Sequence, residues 1–271
     1  KSIRDLQGYL MGQDVTTRFT TKDTTPPLLP PAGSITASFP DADGYVTITA
    51  TRGSAEPTGT VLIINDNSGE IVAVKPESNG SFTGKIPAQL GDEIKIVSMD
   101  ASGNQTLITY ITFKSSDGKY LVTAKGGTVE GEGGLKLEVP EGALLGPTVI
   151  KITPVPEENL PHPVPTGGTF IAAVHVDAGG GKFLKEVKLS APAPNSIPAN
   201  ATPFVARPSV YVDFDGNPEN VYEIIDSAKI INGRITTASL PFPGIMGEDG
   251  YVAFVYTVSR PAILYGYMYR E

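Results

Sequence analysis

Residues 91–113, GDEIKIVSMDASGNQTLITYITF, contain the pattern that decides the fold. Ile94, Ile96 and Ser98 alternate with Lys95 and Val97, and such alternation is typical of a strand with one buried face. Asp-Ala-Ser-Gly-Asn at 100–104 follows, a composition that favours a tight turn. A second alternating run comes after the turn. The stretch therefore predicts strand, turn and strand.

The same pattern extends over residues 26–114, which predict one complete β domain. Predicted strands lie at 34–39 and 45–51, on both sides of the Asn-Asp-Asn-Ser-Gly turn in 59–75, around an Asn79-Gly80 hairpin in 78–86, and in 91–113. Seven short strands in about 90 residues, with turns every 8–12, are typical of an immunoglobulin-like sandwich.

Residues 115–258 predict a second β domain. Alternating LKLEV and VIKIT flank Pro140 and Gly142, which are poor strand residues and predict a corner. Asn232-Gly233 predicts a hairpin, and 250–258 predicts a closing strand. The best helical candidate is 218–226, PENVYEIID.

Composition excludes several classes of function. The chain has 271 residues, a net charge of −8 and no cysteine. An acidic surface disfavours nucleic acid as a partner, and a protein without thiols has neither thiol catalysis nor thiolate metal sites. Its apolar runs are strand-sized, shorter than the roughly 20 residues of a membrane-spanning helix. We therefore expect no membrane insertion.

Two stretches resemble bacterial immunoglobulin-like surface repeats. In GDEIKIVSMDASGNQT, Gly-Asp opens one strand and an Asp-x-x-Gly-Asn turn leads to the last strand, as in those repeats. Residues 3–21 resemble the end of a related repeat, with IRDLQG as the turn and RFTT as the final strand, although Tyr9 stands where the repeats have Asn. The resemblance implies that 26–114 is immunoglobulin-like and that 1–25 holds the closing strands of a truncated domain and a linker.

Residues 115–258 resemble the ZU-type β domain of ankyrins and netrin receptors, which also occurs in bacterial surface proteins. The matching residues are Gly126, Gly127, Leu137, Val139, Pro140, Gly142, Ala143, Ile150, Ile152, Phe183, Val187 and Leu189. Some relatives cleave their own backbone before the Ser of a His-Phe-Ser stretch. The corresponding stretch here, 238–245, has Pro241 and Pro243 on either side of Phe242, so we expect an uncleaved chain.

Both ends of the sequence predict neighbouring domains. Residues 259–271, SRPAILYGYMYRE, predict the first strand of a following domain, and the alternating Tyr265, Tyr267 and Tyr269 have two interpretations. They stack on a sugar ring, or, as we prefer, they cover the core of that next domain. The chain is thus expected to be a window from a longer array of tandem antiparallel β-sandwiches. The paired prolines between 26 and 31 are expected to limit bending.

Candidate sites in the sequence are few. Asp213 and Asp215 in Asp-Phe-Asp-Gly-Asn are candidate calcium ligands, because calcium binds clustered oxygens. Ile224 occupies position twelve, where an EF-hand has Glu, and an Asx turn is the favoured alternative. His175 and Asp177 share a strand face but lack a Gly-x-Ser-x-Gly element. The Gly-Gly-Gly-Lys in 177–183 lacks the spacing of a phosphate loop and predicts a hairpin turn.

We expect a non-catalytic structural or spacer module of a large secreted or surface-displayed bacterial protein. The host is expected to be adhesin-like or the shell and plug region of a toxin resembling the Rhs and teneurin proteins. Its partners would be neighbouring β domains of the same chain. The alternative is an adhesive module that binds a host or cell-surface glycan or protein. No cofactor other than calcium is predicted.

Overall fold

The computed structural model describes residues 4, 6–10, 18–31, 33–108, 111–239 and 243–258. Within these residues regular structure is almost entirely β, and the strands pair antiparallel with one exception, the parallel pair of the strands at 35–37 and 112–114. Helix is confined there to two single 3-10 turns, Glu132–Gly134 and Glu157–Asn159. The prediction of an all-β chain with antiparallel sheets is confirmed.

The strands fall into two groups along the chain. The first β unit consists of β1 (Ile35–Ala37), β2 (Tyr45–Ala50), β3 (Thr60–Asn65), β4 (Ile71–Val74), β5 (Phe82–Pro87), β6 (Ile94–Met99), β7 (Gln105–Ile108) and β8 (Thr112–Lys114). The second β unit consists of β9 (Tyr120–Val122), β10 (Gly127–Glu130), β11 (Lys136–Val139), β12 (Thr148–Val155), β13 (Thr169–Asp177), β14 (Lys182–Pro192), β15 (Thr202–Val212), β16 (Pro218–Ile231), β17 (Arg234–Thr237), β18 (Ile245–Glu248) and β19 (Gly250–Thr257).

Two sheets enclose the core of the first β unit. One has the order β4-β3-β6-β7 and the other contains β5-β2-β1-β8. Side chains alternate in and out along these strands, as the pleat requires. Gly84 on β5 allows a close approach of the sheets, because a Cβ there would overlap Ile63 and Val74. The buried residues of this first core are Ile35, Ala37, Val46, Ile48, Ala50, Val61, Ile63, Phe82, Ile86, Ala88, Ile94, Ile96, Phe113 and Leu121.

The second β unit has a larger core between two strand layers. One layer runs β10-β11-β14-β17, and the other runs β15-β19-β13-β12. Strand β16 belongs to both, because its first part pairs with β15 up to Ser227 and its last part pairs with β17 from Ala228. Apolar side chains from both layers, including Leu137, Val187 and Phe254, fill this second core.

Two predicted turns are confirmed in the second β unit. Gly142, with φ of 73°, turns the chain directly after β11, and Ala143 is then fully buried. Asn232 and Gly233 have φ of 50° and 72° and connect β16 to β17. Positive φ at both central residues is the geometry of a type I′ hairpin, which explains the Asn-Gly pair.

The predicted helix at 218–226 is wrong. Together with Ser227 these residues form the first part of β16, which pairs with β15 at nine positions, from Val212↔Pro218 to Phe204↔Ser227. Val221, Ile224 and Ile225 are β-branched and favour a strand. The long pairing with β15 outweighs any tendency of the short stretch to form two helical turns.

Two further predicted hairpins are turns that lead from one sheet to another. Gly80 has φ of 81°, but β4 and β5, on either side of it, pair with β3 and β2 respectively. Similarly, 178–181 joins β13 to β14, which lie in different layers. The turn residues were recognised correctly, but local composition does not specify which strand becomes the partner.

The described part of the first 25 residues has little strand pairing. Arg4 and Leu10 form an isolated bridge around a turn, in which the Arg4 guanidinium donates to the Gly8 carbonyl at 2.7 Å. Residues 18–21, in the predicted final strand of a truncated domain, are not in a strand. Residues 11–17, which belong to the same predicted repeat end, lie outside the described residues, as do all of 259–271.

Candidate functional site

The two β units meet at the hairpin of β8 and β9, which contains the predicted boundary at 114/115. Ser115 begins the turn, and its hydroxyl donates to Asp117 at 2.5 Å and accepts the Lys119 N–H at 2.9 Å. Strand β8 also pairs with β1 of the first unit, and β9 pairs with β12 of the second. Backbone hydrogen bonding therefore continues from one unit to the other.

Side chains of this junction alternate between the two cores. Phe113, Leu121 and Val149 lie side by side on β8, β9 and β12, and all three pack in the first core. Tyr120 and Ile150, one residue away on β9 and β12, pack in the second core. The second unit thus supplies part of the covering of the first core.

Further contacts support the same junction from outside. Lys125 and Glu93 form an ion pair at 3.5 Å between the two units, and both side chains are about half exposed. Exposed ion pairs contribute little stability. A cleft of about 580 Å³ lies beside them, and Phe113, Leu121 and Leu145 are among its lining residues. The row of Phe113, Leu121 and Val149 therefore contributes more to the stability of the junction than the exposed ion pair does.

The segment that precedes the first β unit is held against its edge strand β7. The Asn104 side-chain amide donates to the carbonyls of Asp23 and Thr25 at 3.1 and 3.3 Å. The Thr106 hydroxyl donates to the carbonyl of Pro27, and the Pro27 side chain is buried. The proline-containing connection is therefore packed on the first unit at this point.

Asn104 belongs to a turn that occurs three times in the described chain, beginning at Asp41, Asp100 and Asp213. In each, one carboxylate oxygen accepts backbone N–H groups two and four residues later, at 2.7–3.1 Å. Hydrogen bonds within the turn hold the pKa of each aspartate below its ordinary value. The largest cause is a backbone N–H at two of them, that of Tyr45 for Asp41 and that of Asn217 for Asp213. For Asp100 the largest cause is the side-chain amide of Asn104. The motif is a structural Asx-type turn.

The candidate calcium ligands Asp213 and Asp215 lie in the third copy of this turn, between β15 and β16. Both oxygens of Asp213 accept hydrogen bonds, from the N–H groups of Asp215 and Asn217 and from the Asn217 amide at 3.1 Å. No group of three or more His, Cys, Asp or Glu side chains arranged to hold a metal occurs among the described residues.

The two histidines lie apart from each other. The His175 ring packs on Tyr251, with centroids 4.6 Å apart, while the Asp177 carboxylate accepts the Gly179 N–H at 3.0 Å. His162 is buried, and its Nε2 lies 2.8 Å from the Val221 carbonyl oxygen. Both histidines thus take part in packing contacts with neighbouring strands.

Sequence analysis missed a cluster formed by Glu186 on β14, Asp226 on β16 and Ser239 directly after β17. The Ser239 hydroxyl contacts the Glu186 carboxylate and lies 3.0 Å from Asp226 Oδ2. Asp226 is completely buried. Strand β16 also contains Glu219, Glu223 and Lys229, so the local sequence does not mark Asp226, and its partners are 40 and 13 residues away along the chain.

The hairpin of β15 and β16 carries several exposed apolar side chains. Strand β15 pairs with β19 only as far as Ala206, and beyond it Val210, Val212 and Phe214 are largely exposed. We call residues 207–223 the arm.

Comparison of the sequence with models of known protein families and with curated proteins finds no match. The resemblance to immunoglobulin-like repeats and ZU-type domains therefore stays a prediction. In the described part of the chain, no helix has the length and apolar character needed to span a membrane. The tyrosine stripe at 265–269 and the Pro241-Phe242 pair lie outside the described residues.

Proposed function

We propose that this chain is a non-catalytic structural module that holds neighbouring β domains of one longer polypeptide at a fixed angle and separation. It consists, in this proposal, of two tandem antiparallel β-sandwiches, an immunoglobulin-like one over 26–114 and a ZU-type one over 115–258. Its host is a secreted or surface-displayed bacterial protein, either an adhesin-like stalk or the scaffold and plug region of a repeat-type toxin.

One observation carries the proposal. The row of Phe113, Leu121 and Val149 closes the first core with side chains from both units. Bending at the junction would expose this apolar row to water, at a cost of roughly 25 cal/mol for each Å² uncovered. A flexible tether needs no such shared core, whereas a spacer of fixed geometry does.

The packed connection upstream supports the same function. Asn104 and Thr106 fix the path of the chain at Asp23, Thr25 and Pro27, so that the direction in which it enters the first unit is restricted. Restriction at both the entry and the junction suits an array whose domains keep a constant orientation.

Backbone ¹⁵N relaxation tests the proposal. If the two units tumble as one body, amides in β2 and β13 fit a single rotational diffusion tensor with the correlation time of a 28.5 kDa particle. Separate tensors, with the shorter correlation times of domains of 89 and 144 residues, would contradict a rigid spacer.

The arm favours the alternative of an adhesive module. Val210, Val212 and Phe214 are exposed on a projecting hairpin, and exposed apolar groups of this kind mark interaction surfaces. Glycan-array and cell-binding assays with the wild-type chain and a Val210→Ser/Val212→Ser/Phe214→Ser variant test it. Binding that the triple variant loses would support adhesion, and binding that it keeps would contradict a role for the arm.

A further inference from the structure

The cluster of Glu186, Asp226 and Ser239 lies where β16 passes from one strand layer of the second unit to the other. We propose that these three residues form an acid-closed latch, in which one proton shared by the two carboxyl groups holds the layers together and its loss loosens them. The inference concerns the second unit alone and does not depend on the spacer function.

The cluster has too few protons for all its hydrogen bonds when both carboxyl groups are charged. Ser239 contacts both carboxyl groups, yet a hydroxyl has one proton and donates to one acceptor at a time. When it donates to Glu186, the contact with Asp226 becomes a hydrogen bond only if Asp226 carries a proton and donates to the Ser239 oxygen. When Asp226 is protonated, Ser239 is therefore hydrogen-bonded to both carboxyl groups. When Asp226 is charged, one of these two hydrogen bonds is missing.

Burial and charge act in the same direction. Burial is the main cause that raises the pKa of Asp226, and the negative charge of Glu186 raises it further. Hydrogen bonds from Ser239 and from the Ser227 N–H lower the pKa and offset part of this effect. A carboxyl group without a compensating cation favours its neutral form in such surroundings.

The charged groups around the cluster are few. Glu186 on β14 is the one charge that acts on Asp226 among the described residues. Glu138 on β11 and Lys188 on β14 line the groove that Glu186 also lines. Lys185 on β14 is turned to the Glu141 carbonyl, to which its ammonium donates at 2.7 Å. Among the described residues, Asp226 thus has a like-charged neighbour and no hydrogen-bonded cation.

The latch fixes backbone that joins the two layers. The Ala238 N–H donates to the Ser227 carbonyl at 2.9 Å, and the Gly244 N–H donates to the Ile225 carbonyl at 3.0 Å, on either side of Asp226. The pairing of β15 with β16 has a bulge beside Asp226. Gly244 packs so closely on Glu186 that a Cβ there would overlap it. A second negative charge in the cluster therefore strains a tightly packed corner.

The sign of the pH effect follows from linkage. The pKa of Asp226 is higher in the folded chain than the value of about 3.9 of an unfolded Asp, so the folded state binds the proton more tightly. The protonated Asp226 therefore contributes to the stability of the folded chain. This contribution to stability is fully present below about pH 4 and is lost as the pH rises through the pKa of Asp226 in the folded state. The latch is therefore closed in acid and weakens once the pH exceeds the pKa of Asp226 in the folded chain.

The experiment compares wild type with Asp226→Asn between pH 4 and pH 8. The Asn amide mimics the protonated carboxyl group at every pH, whereas wild-type Asp226 loses its proton as the pH rises. The melting temperature of the variant should therefore rise relative to that of wild type between pH 4 and pH 8, by about 2–4 °C. Glu186→Gln should show a smaller increase of the same sign. Asp215→Asn, a change of an exposed Asp on the arm, is the matched control and should give a difference that does not vary with pH.

Hydrogen exchange of the Ser227, Ala238 and Gly244 amides locates the effect. At pH 8 these amides should be several-fold better protected in Asp226→Asn than in wild type, and the difference should shrink as the pH falls toward 4. A difference in melting temperature that is the same at every pH, or equal protection at pH 8, would overturn the latch. A destabilised Asp226→Asn variant at pH 8 would also overturn it, because the charged form would then be the favoured one.

Discussion

Tyr120 and Leu121 are neighbours on the three-residue strand β9, yet each is buried in a different core. Tyr120 packs in the core of the second unit, with Lys114 Nζ 5.0 Å from its ring centroid. Leu121 packs in the core of the first unit, beside Phe113. One short strand thus closes both cores, and movement of one unit against the other must uncover one of them.

The type I′ hairpin at Asn232-Gly233 should be sensitive to a single added methyl group. Gly233→Ala places a side chain at φ of 72°, a left-handed conformation that costs an L-residue about 1–2 kcal/mol. Because the turn fixes the pairing of β16 with β17, we expect this cost to appear as a lower free energy of unfolding in urea.

Gly146→Ala is the matched control for that measurement. Gly146 does not have a positive φ, and a Cβ there meets no atom within 4 Å. The control should therefore be neutral or slightly stabilising. Equal unfolding free energies of the two variants would contradict the strained geometry at Gly233.

The turn at Asp100 should lose stability in acid. Its carboxylate accepts hydrogen bonds from the Asn104 amide, and from the N–H groups of Asn104 and Ser102, which hold its pKa below the ordinary value. Stability from such a group is present above the unfolded pKa of about 3.9 and is lost as the pH falls through the folded pKa.

Asp100→Asn should accordingly lower the melting temperature at pH 7 by a few degrees, and the difference should shrink below about pH 3.9. The segment at Asp23 and Thr25 should also become more susceptible to protease, because Asn104 holds their carbonyls. A difference in melting temperature that persists unchanged at pH 2 would show that the carboxylate is not its cause.

Calcium should have little effect on the arm. Both oxygens of Asp213 already accept hydrogen bonds within the turn. Because a ligand that binds the native state raises its stability by mass action, a calcium site would reveal itself in a melt. We expect equal melting temperatures in a chelator and in millimolar calcium. A rise of several degrees that Asp215→Asn abolishes would establish a site.

Local pattern was sufficient to predict the strands of the first unit. Alternation in 45–51 and 94–98 matches the buried faces of β2 and β6, because one face of each strand packs in a single core. The one difference in strand number lies at 105–113, which was predicted as a single strand and is divided into β7 and β8. That division places β8 beside β1 and creates the junction.

Partner choice could not be predicted locally. The turns at Gly80 and 178–181 have hairpin-like composition, but the strands on either side pair elsewhere. Segment 218–226 has few residues and mixed periodicity, and its strand conformation depends on β15. In each case a contact distant in sequence decides the outcome.

The same limit applies to the sites. Asp213 and Asp215 are conspicuous in the sequence because turn residues cluster in a short stretch. Glu186, Asp226 and Ser239 come together only when β14, β16 and β17 pack. The row of Phe113, Leu121 and Val149 likewise needs the pairing of β8, β9 and β12 before it exists.

The distance between Ser78 and Ser196 tests the rigid junction most directly. Both serines are exposed. Ser78 lies in the loop before β5 and Ser196 in the loop before β15. Because the chain has no cysteine, spin labels attach only at the introduced Ser78→Cys and Ser196→Cys. Pulsed electron paramagnetic resonance should give one narrow distance distribution. Leu121→Ser in this background should broaden it, because the change introduces a hydroxyl into the first core, whereas Leu184→Ser, at an exposed leucine, should leave it narrow. A broad distribution in the chain with Leu121 intact would contradict the account of two units joined as one rigid spacer.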